Sequence, residues 1–456
     1  FLFDKNQRNR MFSFIKKDIF FICFFAFSFW SVFTIFFSYN ISESLRVITE
    51  LIAYLSSIPI INYCLKQNQK NIKFVILMIP VLLSIEILFI VAPYLYDTLT
   101  SSVINRSQRY SGFTGNVNIA AFSIVLKLPF VWHYIAKFKK QYLKLTGLFI
   151  VYFFGVFSII IIHQTRGALI ALITLLILFL IFQFSQKKEF KSFFKNVFLF
   201  IIPVILVFSI NGILENFNSS YTSVNSRMSS LQESSDVSVQ SRMRYYKTAF
   251  ESIKDNPVTG IGIGNWALED IKRAPKAIIG YVVGYHVHND FLEIAAETGI
   301  TGFILFYGLV FWLLLWIVYQ NIKNKSNQTQ QIIFLSLTGF LIDSLFNFPF
   351  SRPIQMIQFI FCICLFFSSE IISFKGFNTT VIKTAFILIL LILPINFYGS
   401  YRVYNANVDF YTLLGEYNYG IHDRPLSEVE KFQDDFPNLT GTTLPVKALK
   451  GIYYFK

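Results

Sequence analysis

The chain has 456 residues, a formal net charge of +14 and a mean hydropathy of +0.53, with 54% hydrophobic and only 14% charged residues. This composition is typical of membrane proteins. The positive charges form no patch interleaved with aromatic residues but lie in short clusters between apolar runs, so we expect no nucleic acid partner. The four cysteines lie in or beside apolar runs and indicate neither a disulfide framework nor a metal site.

Apolar runs of membrane-spanning length predict an all-α, polytopic transmembrane helix bundle of about 11–12 spans with a large outer loop. Because the chain opens on Phe1 rather than Met, we expect that the N-terminal end, and with it a further span, is missing. The predicted spans lie near residues 18–38, 45–65, 73–95, 118–136, 145–163, 167–185, 196–213, 300–320, 331–348, 353–374 and 382–400.

The segments between the spans differ in their basic residues, and this difference predicts the topology. One alternate set carries lysine and is predicted to be cytoplasmic by the positive-inside rule. The chain then divides into N-terminal transmembrane helices (1–213), a large outer loop (214–299), C-terminal transmembrane helices (300–400) and an outer tail (401–456). Within the loop we expect a Ser/Asn-rich linker over 216–241, a helix over 242–253 and a turn over 256–264.

The short outward segments use arginine instead of lysine, and two explanations remain open. The arginines are Arg46, Arg106, Arg109, Arg166 and Arg352. Snorkelling at helix ends explains some of them. Alternatively, an outward site gathers planar, bidentate anion binders, as a ligand that carries phosphate would require.

Two of the five histidines, His286 and His288, lie in YHVHNDFLE at 285–293, which closes the outer loop. Imidazole changes protonation near neutral pH, so this segment is the first candidate for proton transfer. Asn289 follows, and then an amphipathic helix over 290–297 with acidic residues on one face, ending at Gly299. A carboxylate there can orient an imidazole. The alternatives are an interfacial histidine at a helix start and a His-x-His metal pair without an obvious third ligand.

Further candidates lie in the loop and in one span. Arg242 and Arg244 open the predicted loop helix, and Arg242 shares a face with Tyr246. With Arg166, they suggest a two-armed clamp for a diphosphate, although solvated charges would explain them equally well. The glycines in GIGIGNW at 260–266 predict a tight turn, because no strand–turn–helix unit surrounds them. Asp343 is an intramembrane carboxylate, either functional or pairing inside the bundle.

Taken together, these motifs resemble the O-antigen ligase and polymerase superfamily of membrane glycosyltransferases. The resemblance covers about residues 70 to 400 and depends on the order of its motifs. They are RYSG at 109–112 with NVN at 116–118, TRG at 165–167, Arg242 before 257–265, and HN at 288–289 leading to ETG at 297–299. Tyr246 stands where the family's pattern has Trp.

The resemblance implies that His288 is the general base and that Arg166 and Arg242 bind diphosphate, with Arg244 and Arg109 as further candidates. His286, Asn289, Asn118, Tyr246 and Asp343 are expected to support the site. It implies an inverting transfer, without metal or cofactor, of a glycan from a polyprenyl-diphosphate carrier such as undecaprenyl diphosphate. We expect the acceptor to be lipid A–core in lipopolysaccharide biosynthesis, and the site to face the periplasm from a bacterial inner membrane.

Other functions remain open at this point. A polysaccharide polymerase and a protein O-oligosaccharyltransferase share these motifs. A transporter of lipid-linked glycan would bind diphosphate without chemistry, but the sequence shows no clear internal repeat of the kind transporters have. A structural scaffold would explain the tail but not the arginine bias. The segment 444–456 is expected to be helical, like the start of a tetratricopeptide repeat.

Overall fold

A computed structural model describes residues 18–67, 69–101, 108–137, 141–187, 190–217, 237–277, 283–323, 325–369, 379–441 and 443–455. Within these ranges the regular structure is helical, and β-pairing is limited to an isolated bridge between Leu439 and Pro445. The predicted all-α class is therefore confirmed. Most of the predicted linker over 216–241 lies outside the described residues.

The described helices are numbered here in chain order. They are α1 Ile19–Phe33, α2 Ile41–Gln67, α3 Gln69–Ser101, α4 Val117–Lys137, α5 Tyr142–Phe157, α6 Arg166–Lys187, α7 Phe190–Phe217, α8 Val237–Asp255, α9 Trp266–Arg273, α10 Asp290–Ile322, α11 Gln328–Phe346, α12 Pro353–Ser369, α13 Thr379–Tyr419, α14 Leu426–Val429 and α15 Val446–Tyr453. A π-helical turn, Ser158–His163, follows α5 directly.

Ten helical segments within the described ranges are long and apolar enough to cross a membrane, and each corresponds to a predicted span. The span predicted over 353–374 begins as α12, and its last residues lie outside the described part of the chain. Several helices are longer than their predicted spans, and two exceed them most. The loop helix and the following span form one element, α10, interrupted at Gly299. With 41 residues, α13 is about 60 Å long, roughly twice the thickness of the hydrocarbon core.

The chain divides into two compact units, which are described separately. The first, here called the loop unit, contains residues 1–63, 241–309 and 372–456. The second, the bundle unit, contains residues 64–240 and 310–371. The four segments predicted from the sequence stay a prediction.

In the bundle unit, α4 is the central helix, with 83% of its most apolar window buried. It packs against α3, α5, α6 and α11. Polar side chains join it to its neighbours, since Ser336 on α11 donates to the Leu126 carbonyl at 2.9 Å. Lys127 on α4 pairs with Glu86 on α3 at 2.8 Å. These two intramembrane charges neutralise each other, which explains how the span accommodates them.

Two apolar clusters lie in the described part of the loop unit. One joins α8, α9, the histidine segment and α10 through Ala249, Trp266, Val287 and Ala296. The other packs the end of α13 against α14 and α15. The helix predicted over 444–456 is present as α15, and its relation to a tetratricopeptide repeat stays a prediction.

Candidate functional site

The histidine segment of the loop unit is held by one carboxylate. Glu293, in the first turn of α10, accepts a hydrogen bond from the Val287 backbone N–H at 2.8 Å. Its other oxygen lies 2.7 Å from Nδ1 of His286. Both side chains of this pair are about nine-tenths buried, so the contact is shielded from water. The carboxylate face predicted for this helix therefore contacts an imidazole, and the imidazole is that of His286.

His288 is held in an unusual backbone conformation, with a φ of 60°. A non-glycine residue in the left-handed region costs about 1–3 kcal/mol and persists only where neighbours enforce it. The ring of His288 stacks on Tyr245, with centroids 6.4 Å apart and planes at 20°. The Tyr246 hydroxyl donates to the His288 carbonyl at 3.3 Å. Asn289 caps α10 by accepting from the Leu292 N–H at 3.2 Å.

The two loop arginines have different surroundings on α8. Arg244 forms an ion pair with the buried Asp270 at 3.1 Å and lies over the Tyr245 ring at 4.7 Å. Burial raises the pKa of Asp270, and the charge of Arg244 partly offsets that rise. Arg242 lies beside Tyr246: burial raises the pKa of Tyr246, and the charge of Arg242 opposes it. Arg244 is thus bound internally, whereas Arg242 belongs to the surroundings of Tyr246 and His288.

The glycine-rich turn predicted over 260–264 is present and packs against the break in α10. Gly262 N–H donates to the Glu297 carbonyl at 2.9 Å, and the Trp266 N–H donates to the Glu297 carboxylate at 2.9 Å. Gly299 has a φ of 71°, and a Cβ there would lie 2.0 Å from the Val258 carbonyl oxygen. Only glycine fits this close approach. The Glu297–Gly299 motif therefore fixes the loop to α10.

Arg46, the first of the outward arginines, is engaged within its own helix. It pairs with Glu43 at 3.1 Å and with Glu50 at 3.4 Å, and its guanidinium lies 5.9 Å from the Tyr285 ring centroid. Burial raises the pKa of Tyr285 to about 12. For Arg46 the arrangement favours a structural role at the helix end over direct anion binding.

The remaining candidates lie in the bundle unit. Arg109 is 64% exposed and pairs with Asp97 at 3.2 Å. Asn118 lies in the first turn of α4, where its N–H donates to the Asn116 side chain at 2.9 Å. Arg166 is the first residue of α6. The N-terminus of this helix is intrinsically suited to an anion.

Asp343 is buried near the end of α11 and accepts a hydrogen bond from the Asn347 side chain at 2.8 Å. The next helical element starts just beyond Asn347, at Pro349. This contact between residues one turn apart fits the structural alternative, in which the carboxylate secures the helix end.

Sequence reasoning missed one residue near these candidates. His163 is fully buried at the end of the π-helical turn, and its Nε2 lies 3.1 Å from the Tyr110 carbonyl oxygen. Only the position of His163 three residues before Arg166 offered a signal in the sequence. Among the described residues, no group of three or more His, Cys, Asp or Glu side chains is arranged to hold a metal ion.

Residues 150–307 match the family model described as O-antigen ligase. The matched region contains Arg166, both loop arginines, the glycine-rich turn and the histidine segment through Gly299. No curated protein sequence matches the chain.

Proposed function

We propose that this chain, whose residues 150–307 match the O-antigen ligase family model, transfers a glycan from a polyprenyl-diphosphate carrier to an acceptor hydroxyl. The preferred acceptor is lipid A–core, as in an O-antigen ligase. A growing polysaccharide and a protein hydroxyl are the alternative acceptors. The family supports a membrane glycosyltransferase of the ligase type, whereas the carrier and the acceptor belong to the proposal.

The main support for this function is the setting of His288. Its strained backbone is fixed between the stacked ring of Tyr245 and the Tyr246 hydroxyl. Strain of this kind concentrates at functional sites, where the fold holds a side chain in one orientation. Arg242 lies beside Tyr246, whose hydroxyl contacts the backbone of His288. A base beside an anion binder is what cleavage of a sugar–diphosphate bond requires.

The proposed reaction is a single displacement at the anomeric carbon. His288 accepts the proton of the acceptor hydroxyl as its oxygen forms a bond to that carbon. The bond between the carbon and the carrier's diphosphate oxygen breaks, and the polyprenyl diphosphate leaves with the electron pair. Attack from the face opposite the leaving group inverts the anomeric configuration.

The charge that develops on the departing diphosphate needs cationic partners. We propose Arg242 and Arg166 for this role, as the family resemblance implies, with no metal ion. Arg242 is the loop arginine that the family resemblance implies, whereas Arg244 forms an ion pair with the buried Asp270. Arg109 is a further anion binder, exposed on the bundle unit.

The proposed location is the bacterial inner membrane, with the site facing the periplasm. The support is the alternation of lysine-bearing and arginine-bearing segments between the spans. A lipid-linked donor would then approach from the outer leaflet of the bilayer.

The test is glycan transfer in cells that lack their own enzyme, comparing wild type with His288→Ala at matched membrane expression. His422→Ala, the same change in the tail, is the control. We expect the His288 variant to lose transfer and the control to keep it. The mobility of the product distinguishes lipid, glycan and protein acceptors. Normal transfer by the His288 variant would reject the base assignment, and donor translocation without transfer would support a transporter.

A further inference from the structure

His163 connects two segments of the bundle unit that are far apart in sequence. It is fully buried, and its Nε2 contacts the carbonyl oxygen of Tyr110, 53 residues earlier, at 3.1 Å. A carbonyl only accepts, so the imidazole carries its proton on Nε2 in this contact. Tyr110 directly follows Arg109, and His163 lies three residues before Arg166. Both arginines are proposed to bind diphosphate.

On one side of the contact, Tyr110 is fixed by its own neighbours. Its hydroxyl donates to Asp97 at 2.9 Å, and its ring packs edge-on against Tyr94 with centroids 5.4 Å apart. Asp97 also pairs with Arg109, the residue before Tyr110. The short 3-10 turn over Gln108–Tyr110 therefore carries Arg109 on a backbone whose position depends on Tyr110.

On the other side, His163 ends the π-helical turn that leads to Arg166. Such turns are rare and frequently occur at functional sites. Gln164 then adopts a left-handed conformation with a φ of 52°, and its N–H donates to the Ile159 carbonyl at 3.0 Å. Helix α6 begins two residues later with Arg166. Next to it, a Cβ on Gly167 would lie 3.2 Å from Phe346, so α6 is held closely against α11.

We propose that His163 is a positioning residue that holds the Arg109 turn against the start of α6, so that Arg109 and Arg166 act on one diphosphate. This inference rests on the proposed function. Arg109 is exposed, and its surface ion pair with Asp97 contributes little to its placement. The buried hydrogen bond from His163 to the Tyr110 carbonyl therefore joins this turn to the segment that leads into α6. His163 touches neither the donor nor the acceptor in this account.

The test uses three substitutions of His163 in the full-length protein, reconstituted in liposomes. The amide nitrogen of His163→Gln reaches the position of Nε2 and keeps the donor. The shorter His163→Asn keeps polarity but loses that reach, and His163→Leu loses both. We expect the KM for the lipid-linked donor to rise at least tenfold in His163→Leu and His163→Asn. In His163→Gln it should rise less than threefold. The KM for the acceptor should stay unchanged in all three.

A double-mutant cycle with Arg109→Ala gives the second readout. If His163 acts through the Arg109 turn, His163→Leu adds less than a twofold increase in donor KM to a protein that already carries Arg109→Ala. The inference would be overturned if the effects of His163→Leu and Arg109→Ala on the donor KM multiplied independently. Equal donor KM values for His163→Gln and His163→Leu would also overturn it. Arg166→Ala separates this result from the proposed function. If the donor KM of Arg166→Ala equals that of wild type, the proposed diphosphate site is rejected. If Arg166→Ala raises the donor KM but the His163 variants do not, only the positioning role of His163 is rejected.

Discussion

Glu293 offers a direct test of how the histidine segment is held, and the perturbation is Glu293→Ala. The substitution removes the acceptor for the Val287 N–H and for Nδ1 of His286. Val287 is fully buried, so water does not replace the lost acceptor. Hydrogen bonds to a charged group contribute about 1.5–3 kcal/mol each, and an unsatisfied buried donor costs about 1–3 kcal/mol.

The two hydrogen bonds share one carboxylate and do not add fully, so we expect Glu293→Ala to lower the free energy of unfolding by about 2–4 kcal/mol. Glu293→Gln keeps an oxygen for Val287 and offers His286 a donor instead of an acceptor. We expect its loss to be about 1 kcal/mol. It should also move the proton of His286 from Nδ1 to Nε2, because Nδ1 must then accept.

The assay is unfolding of the purified protein in detergent, followed by tryptophan fluorescence, with transfer activity measured in parallel. Glu251→Ala is the matched control, since it removes an exposed glutamate from α8 in the same unit. We expect the control to lie within about 0.5 kcal/mol of wild type. If Glu293→Ala were as stable as Glu251→Ala, the carboxylate would not hold the segment and the reasoning above would be wrong.

Two further substitutions test the surroundings of the site. Arg244→Ala removes the charge that restrains the raised pKa of Asp270, so the folded state should bind a proton more tightly than the unfolded one. Its deficit in melting temperature relative to wild type should therefore grow as the pH rises from 4.5 to 7.5; a constant deficit would contradict this. Gly299→Ala puts a Cβ against the Val258 carbonyl and should cost about 2–4 kcal/mol. The open site at Gly415 is its control, where Ala should stabilise by up to about 1 kcal/mol, and equal melting temperatures for both variants would refute the argument.

Hydropathy and the residues that typically end helices predicted most of the fold. A membrane-length apolar run marks a helix because backbone groups in lipid must bond within their own segment. The span predicted over 118–136 is accordingly α4, Val117–Lys137. Gly299 was expected to end a helix and does interrupt α10. The continuation beyond it was not predictable, because it depends on how the loop 257–264 packs against the break.

The contacts of the candidate site were less accessible from the sequence. Helical spacing placed acidic residues beside the histidines but could not say which imidazole Glu293 contacts. That choice depends on the left-handed backbone of His288, which is set by neighbours on α8. The pair between Arg244 and Asp270 and the contact between His163 and Tyr110 join residues 26 and 53 positions apart. No periodic pattern encodes such separations, since they follow from packing of whole helices.

The most direct measurement is the product balance of the purified protein in liposomes that contain a polyprenyl-diphosphate-linked glycan and the acceptor. Free polyprenyl diphosphate and glycosylated acceptor are quantified together for wild type and for His288→Ala. Our account predicts equal amounts of the two products from wild type. For His288→Ala it predicts that neither product forms and that the melting temperature equals that of wild type. Wild-type rates in the variant, or movement of the donor across the membrane with its sugar–diphosphate bond intact, would contradict it.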